Sequence, residues 1–294
     1  MLNPPLSLLS DDLIASIVEQ VAKLPFDQEI LMNLSLADRA FTQSCQKYIF
    51  QKLILLGGSQ RDIFKEIKLR KKILDKKPSF ANRVRMVKIA ISDEDNATSV
   101  IQYHNLTRIF QLLAKSPMPP QELHFGGKAF SWLTIQDPIR VVRRLTDSFF
   151  SQTLTILNVS DCNNVPLPLF LIFPSLRELI LDQVAAADES YKEYPDNQCS
   201  GREAPLLEVM EYRNSHSLVQ KMIAPPRRFK TPVVIWSKLR ILTISPRDKE
   251  GVACLQPILD AACNTMEELY LTSIHVGESR CSLFDITIRI WQIS

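Results

Sequence analysis

Leu154-Thr155-Ile156-Leu157-Asn158-Val159, followed by Cys162 and Val165, carries an apolar pattern that recurs along the chain. Its pattern is apolar, two of any kind, apolar, one of any kind, apolar, so Leu157 and Val159 alternate as on a strand with one buried face. The same pattern returns in Leu176-Arg177-Glu178-Leu179-Ile180-Leu181, with Val184 behind it, and in Leu239-Arg240-Ile241-Leu242-Thr243-Ile244. Met266-Glu267-Glu268-Leu269-Tyr270-Leu271, followed by Ile274, is a fourth copy. Weaker copies start at Val84 (Val84, Val87, Ile89), Pro120 (Leu123, Phe125) and Leu206 (Val209, Glu211).

Between these strands the chain returns, and several returns have helical spacing. Leu106, Ile109, Phe110, Leu112 and Leu113 form one such stripe. Val141, Val142, Leu145, Phe149 and Phe150 form another, and Leu255, Ile258, Leu259 and Ala262 a third. Strand–helix alternation predicts an α/β fold with one parallel sheet and helices on its outer side. Leu157, Val159, Leu179, Leu181, Leu242, Ile244, Leu269 and Leu271 are the expected buried strand positions. The copy at Leu154 also fits the longer leucine-rich-repeat template, with Cys162 at its asparagine-or-cysteine position. Separations between copies run from 22 to 36 residues, often longer than a strict repeat, so the expectation is an irregular leucine-rich-repeat solenoid. Its insertions, 185–205 and 222–231, are polar and proline-rich.

Ahead of the repeats the sequence is helical. Ser10 is placed to cap a helix with Asp11 and Asp12 in its first turn. Leu13, Ile14, Ile17, Val18 and Val21 make its apolar stripe, and Pro25 blocks continuation. A second helix is predicted from Asp27 to about Phe41, with Ile30, Leu34, Ala37 and Phe41 on one face. Thr42 is placed to cap a short third helix carrying Cys45, Tyr48 and Ile49. Three helices this short bury little alone. Their surplus apolar surface either packs on the repeat domain or meets a partner protein. Lys52 to Leu56 reads as a short strand, ended by Gly57-Gly58. Residues 59–75 then read as a basic helix with Ile63, Phe64, Ile67 and Leu74 on one side. Its charges are a solvated face, a nuclear-import signal or a patch for an acidic partner.

Composition sets outer bounds. The 294 residues are 46% hydrophobic and 23% charged with net charge +3, which fits a globular protein and not a disordered one. The charge is too mild for a nucleic-acid-binding domain. No stretch has the length of a membrane span, and Met1 to Leu9 lacks the features of a secretory signal. Six scattered cysteines point to reduced thiols in an intracellular protein, cytoplasmic or nuclear. The four histidines, His104, His124, His216 and His275, have no metal-ligand spacing. Gly126-Gly127-Lys128 resembles the end of a phosphate loop, but Glu122 stands where the first glycine belongs. Neither catalytic residues nor a cofactor or metal is expected.

The opening fifty residues resemble an F-box. The matching run is Leu9-Ser10-Asp11-Asp12-Leu13-Ile14, Ile17-Val18, Val21, Leu31 to Phe41, and Tyr48 to Leu53, with Leu34-Ser35-Leu36-Ala37-Asp38-Arg39-Ala40-Phe41 the most telling. The usual leucine-proline before the first helix is Leu9-Ser10 here. Continuing through the basic helix to Pro78 and Val84–Ile89, the order of elements is similar to that of fungal F-box proteins with degenerate leucine-rich repeats. The resemblance implies three parts: an F-box-like helical module over 1–56, a linking helix over 57–78 and a repeat domain over 79–294. It implies a non-enzymatic adaptor whose F-box docks the Skp-type adaptor of a cullin-based ubiquitin ligase and whose repeats hold a protein substrate. Leu9, Leu13, Ile14, Ile17, Val18, Leu31 and Leu34 are the candidate adaptor contacts. The alternative is a repeat scaffold outside any ligase, with the helices as a structural cap. At the other end, Leu283, Ile286, Ile288 and Ile290 read as one last strand beside Trp291. Either the solenoid stops short there and self-associates, or the tail folds back as its cap.

Overall fold

The computed structural model describes residues 9–24, 27–57, 60–91, 100, 103–131, 152–187, 203–225, 232–245, 253–272 and 286–289. Three helices come first: α1 (Asp11–Val21), α2 (Asp27–Ala37) and α3 (Arg39–Ile49). Ser10 caps α1 as its sequence requires, its side chain accepting from the Leu13 amide. The second helix stops at Ala37, four residues earlier than its apolar spacing predicts. Asp38 turns to an extended conformation and accepts the Ala40 amide at 2.9 Å, so it caps α3 in place of Thr42. Thr42 lies inside α3 and its hydroxyl donates to the Ser35 carbonyl at 3.0 Å. The core of this bundle is small: Ile14, Val18, Leu31, Phe41 and Cys45.

From Lys52 onward the chain builds one sheet. The strands are β1 (Lys52–Gly57), β2 (Met86–Ile91), β3 (Glu122–Ser131), β4 (Ile156–Val165), β5 (Glu178–Ala186), β6 (Val209–Arg213), β7 (Ile241–Ser245), β8 (Glu268–Leu271) and β9 (Ile286–Arg289). Their order in the sheet is their order in the chain. The first eight are parallel, and β9 runs antiparallel to β8. Helices α4 (Gln60–Lys76), α5 (His104–Ala114), α6 (His216–Ile223) and α7 (Leu255–Ala262) lie in the connections, as do 3-10 helices at Pro78–Arg83 and Leu167–Ile172. The chain is thus α/β, as its alternating pattern predicts.

The recurring apolar positions become two rows across the sheet. One runs Leu53, Val87, Leu123, Leu157, Leu179, Met210, Leu242, Leu269. The other runs Leu55, Ile89, Phe125, Val159, Leu181, Tyr212, Ile244, Leu271. All belong to, or pack on, one apolar cluster with the inner faces of the helices. Seven of the eight expected positions are fully buried; Leu271 is half-buried. The opening residues of the pattern, Val84, Leu154, Leu176, Leu207, Leu239 and Met266, are buried beneath them.

Two readings of the sheet change. The copy expected at Leu206, Val209 and Glu211 slips by one residue: Leu207, Met210 and Tyr212 face the core, while Leu206 is 43% exposed. A slip of one inverts every side chain on a strand, and this frame buries a tyrosine ring where the other would bury Glu211. The second change is at the start of the sheet. Phe50-Gln51-Lys52-Leu53-Ile54-Leu55 carries the same spacing, and β1 pairs with β2 in full register. The strand read within the 1–56 module therefore opens the sheet. The basic segment read as a link over 57–78 is the first return helix, with Ile63, Ile67 and Leu74 in the sheet's core.

Three consecutive strands turn alike. Asp161 within β4, Gln183 within β5 and Asn214 just after β6 all have left-handed φ, at 52°, 54° and 51°. Each throws the next residue inward, and Cys162, Val184 and Ser215 are buried in equivalent places. Cys162 donates to the Ser160 carbonyl, while Ser215 Oγ accepts the Val184 amide at 3.0 Å and donates to the Arg213 carbonyl at 2.8 Å. The predicted helix over 141–150 lies outside the described residues, as do most of the two insertions. Ile286–Arg289 forms the predicted last strand; Leu283, Ile290 and Trp291 lie outside the described residues.

Candidate protein-interaction site

The seven candidate contact residues part company in the structure. Ile14 (3% exposed), Val18 (0%) and Leu31 (1%) form the core of the three-helix bundle and cannot meet a partner while it is folded. Leu9, Ile17 and Leu34 are half-buried and pack on that core. Leu13, at 47% exposed, is the one open to solvent. The sequence stripe on α1 mixed core and surface because an eleven-residue helix in a small bundle turns only a narrow strip inward.

The exposed apolar surface is carried by other residues. Among the described residues, five of the nine large apolar side chains left exposed are Leu13, Leu24, Ile30, Met32 and Leu36, so such exposure concentrates on this small bundle. Leu36 is the most exposed of them, at 83%. Three of them, Ile30, Met32 and Leu36, lie on α2, where Leu31 and Leu34 turn inward, so its apolar residues occupy more than one face.

The bundle joins the sheet tightly. Two residues separate α3 from β1, and the Phe50 ring stacks on Phe80 with centroids 4.1 Å apart. Beside this joint a cleft of about 710 Å³ lies between Asp11 and Asp12 on one side and Lys47, Arg83 and Arg85 on the other. Arg85 is committed within the fold: one guanidinium nitrogen donates to the carbonyls of Asn82, Val84 and Met118.

The sheet adds a second surface. Residues alternating with the core rows, among them Glu122, His124, Ile156, Asn158, Glu178, Ile180, Val209, Glu211, Ile241 and Thr243, are half-buried and belong to no apolar cluster. Just before the strands, Arg177 pairs with Glu208, and Arg240 binds Glu267 through two hydrogen bonds of 2.7 Å. The guanidinium holds the Glu267 carboxyl below its ordinary range.

Chemistry is sparse. No group of His, Cys, Asp and Glu among the described residues could hold a metal ion. Burial pushes the Cys45 and Cys162 thiols up, which makes them poor nucleophiles. Gly126 and Gly127 serve backbone approach: a Cβ on Gly126 would lie 2.1 Å from the Ser160 carbonyl oxygen. Gly127, at φ 151°, would meet the Ile91 oxygen at 1.8 Å. Asn105 is buried and donates to the Tyr103 hydroxyl at 2.7 Å. No helix among the described residues is long and apolar enough to cross a membrane. No family model matches the chain, and no curated protein matches it in sequence.

Proposed function

We propose that this chain is a non-enzymatic adaptor, in which the helical bundle docks a partner protein and the sheet, as a degenerate leucine-rich-repeat solenoid, holds a protein substrate. The resemblance of residues 9–53 to an F-box names the first partner as a Skp-type adaptor, and through it a cullin-based ubiquitin ligase. The observation that carries the reading is the exposed apolar set Leu13, Leu24, Ile30, Met32 and Leu36 on a helical bundle with its own separate core. An apolar surface of this kind on a small module marks a partner site. The test is co-purification of the full chain with a Skp-type adaptor. Replacing Leu13 and Leu36 by Asp is expected to abolish it while the circular dichroism spectrum stays unchanged. Undiminished co-purification would sink the docking assignment.

The second reading makes the helices a cap for the sheet and places the protein outside any ligase. The stacking of Phe50 on Phe80 favours it. On that reading the adaptor does not co-purify, and replacing Leu31 by Asp unfolds strands β1 and β2 along with the helices.

A further inference from the structure

We propose that the face of strands β3 to β8 turned away from the helices is the substrate-holding surface, and that it takes a protein segment in which lysine or arginine neighbours aliphatic residues. This rests on the adaptor reading for the word substrate, but on the sheet alone for the chemistry. Register places Glu122, Ile156, Glu178, Val209, Ile241 and Glu268 in one row across six strands. The next row runs His124, Asn158, Ile180, Glu211, Thr243 and Tyr270, and a third includes Asp182 beside Arg213. Neighbouring strands lie about 4.8 Å apart, so in these rows carboxylates stand next to aliphatic side chains at that spacing.

Two independent features mark this face as lacking its partner. The first is apolar. Ile156, Ile180, Val209 and Ile241 are half-buried but stand outside the core cluster that takes every described helix from α4 to α7. The second is electrostatic. Glu122, Glu178, Asp182, Glu211 and Glu268 share the face with Arg213 and His124, in a chain whose net charge is +3. Within the face, Glu122 meets the His124 ring at 2.5 Å and Glu268 accepts the Tyr270 hydroxyl. Among the described residues neither Glu178 nor Glu211 has a lysine or arginine partner, and one enclosed oxygen of Asp182 has no hydrogen-bond donor. Partial burial, with the charges of Glu122 and Glu211 close by, pushes the Glu178 carboxyl up. Like charges held together on a half-desolvated surface favour a cationic group from outside, and apolar neighbours supply contact area for the stem of a lysine or arginine. Nucleic acid and anionic lipid would be repelled.

The full chain is titrated, by fluorescence anisotropy, with a fluorescein-labelled peptide in which lysine alternates with valine. A counterpart with glutamate for lysine is titrated alongside. The lysine peptide is expected to bind and to weaken as salt rises. Replacing both Glu178 and Glu211 by Gln should weaken it about tenfold or more, and Ile180→Ser should weaken it as well. Asp260→Asn, on α7, should leave it unchanged. Glu211→Lys provides a second reading if the double variant melts early. Equal binding of both peptides, equal loss with Asp260→Asn, or full affinity in the folded glutamine and lysine variants would overturn the proposal. Adaptor co-purification is measured on the same proteins. Peptide binding without the adaptor overturns the ligase reading alone, and adaptor binding without the peptide overturns this inference alone.

Discussion

The helical bundle and the sheet spend apolar residues differently. In the sheet, two rows of eight positions run from β1 to β8, and nearly every member is sealed in one continuous cluster. In the bundle, five buried residues make the whole core, while five large apolar side chains nearby stay in water. A sheet that grows by adding strands covers each new apolar row with the next unit. A three-helix bundle has no next unit, so its surplus stays outside until something else covers it. Exposure here follows from architecture, and the bundle, not the sheet's core side, is where a partner would gain most apolar contact.

Substitutions in the two regions should differ in the same way. Leu179→Ala is expected to have the largest effect, a loss of about 2–5 kcal/mol in denaturant unfolding, because both neighbours in its row, Leu157 and Met210, are buried. Leu207→Ala should fall in the same range, and Leu206→Ala within about 0.5 kcal/mol. Equal losses at the two leucines would return the strand to the rejected register. In the bundle, Leu31→Ala should cost about 2 kcal/mol, at the lower end for a core truncation. In hydrogen exchange the loss should appear as faster exchange over residues 11–49 while the amides of β4 and β5 stay protected. Collapse of both regions together would join what the two cores separate.

Smaller effects sharpen the contrast. The Glu178 carboxyl is pushed up first by burial and then by Glu122 and Glu211. Folding therefore favours its protonated form, and its contribution to stability falls as pH rises from the ordinary carboxylate range through the raised folded value. Glu178→Gln should accordingly raise the midpoint of unfolding at neutral pH and flatten the slope of stability against pH just above the ordinary range. A lowered midpoint at neutral pH would mean that the ionised carboxylate is stabilising. Least of all, Leu36→Ser should change folding stability by no more than about 0.5 kcal/mol, because nothing in the bundle's core depends on its side chain.

Much of the sheet was legible because its signal is repeated. Leu154, Leu157 and Val159 announce one strand, and three more copies fix the period and the inward face. The copy at 206 failed because Leu206 and Leu207 are adjacent and either can start the pattern. Only three-dimensional neighbours, Leu181 and Ile244 beside Tyr212, decide the frame. The copy at Phe50 was hidden by its position, since the F-box resemblance already claimed those residues. The docking residues were the least legible. Helical spacing separates an apolar face from a polar one, but α1 and α2 are apolar on more than one face. Which side turns inward was decided by Phe41 and Cys45 of α3. The end of α2 was missed because the apolar period runs on through Phe41, and Asp38 breaks it by capping the next helix.

Because strand order in space repeats strand order in sequence, each parallel strand meets its next neighbour across a single connection. Such a chain has no long-range closure to wait for: each new strand finds its template already laid, and loop-closure entropy is met in small steps. During synthesis the sheet can therefore lengthen strand by strand as residues leave the ribosome, with β1 at one edge and the newest strand at the other. Cutting one connection would interrupt a single junction and leave the strands on either side paired.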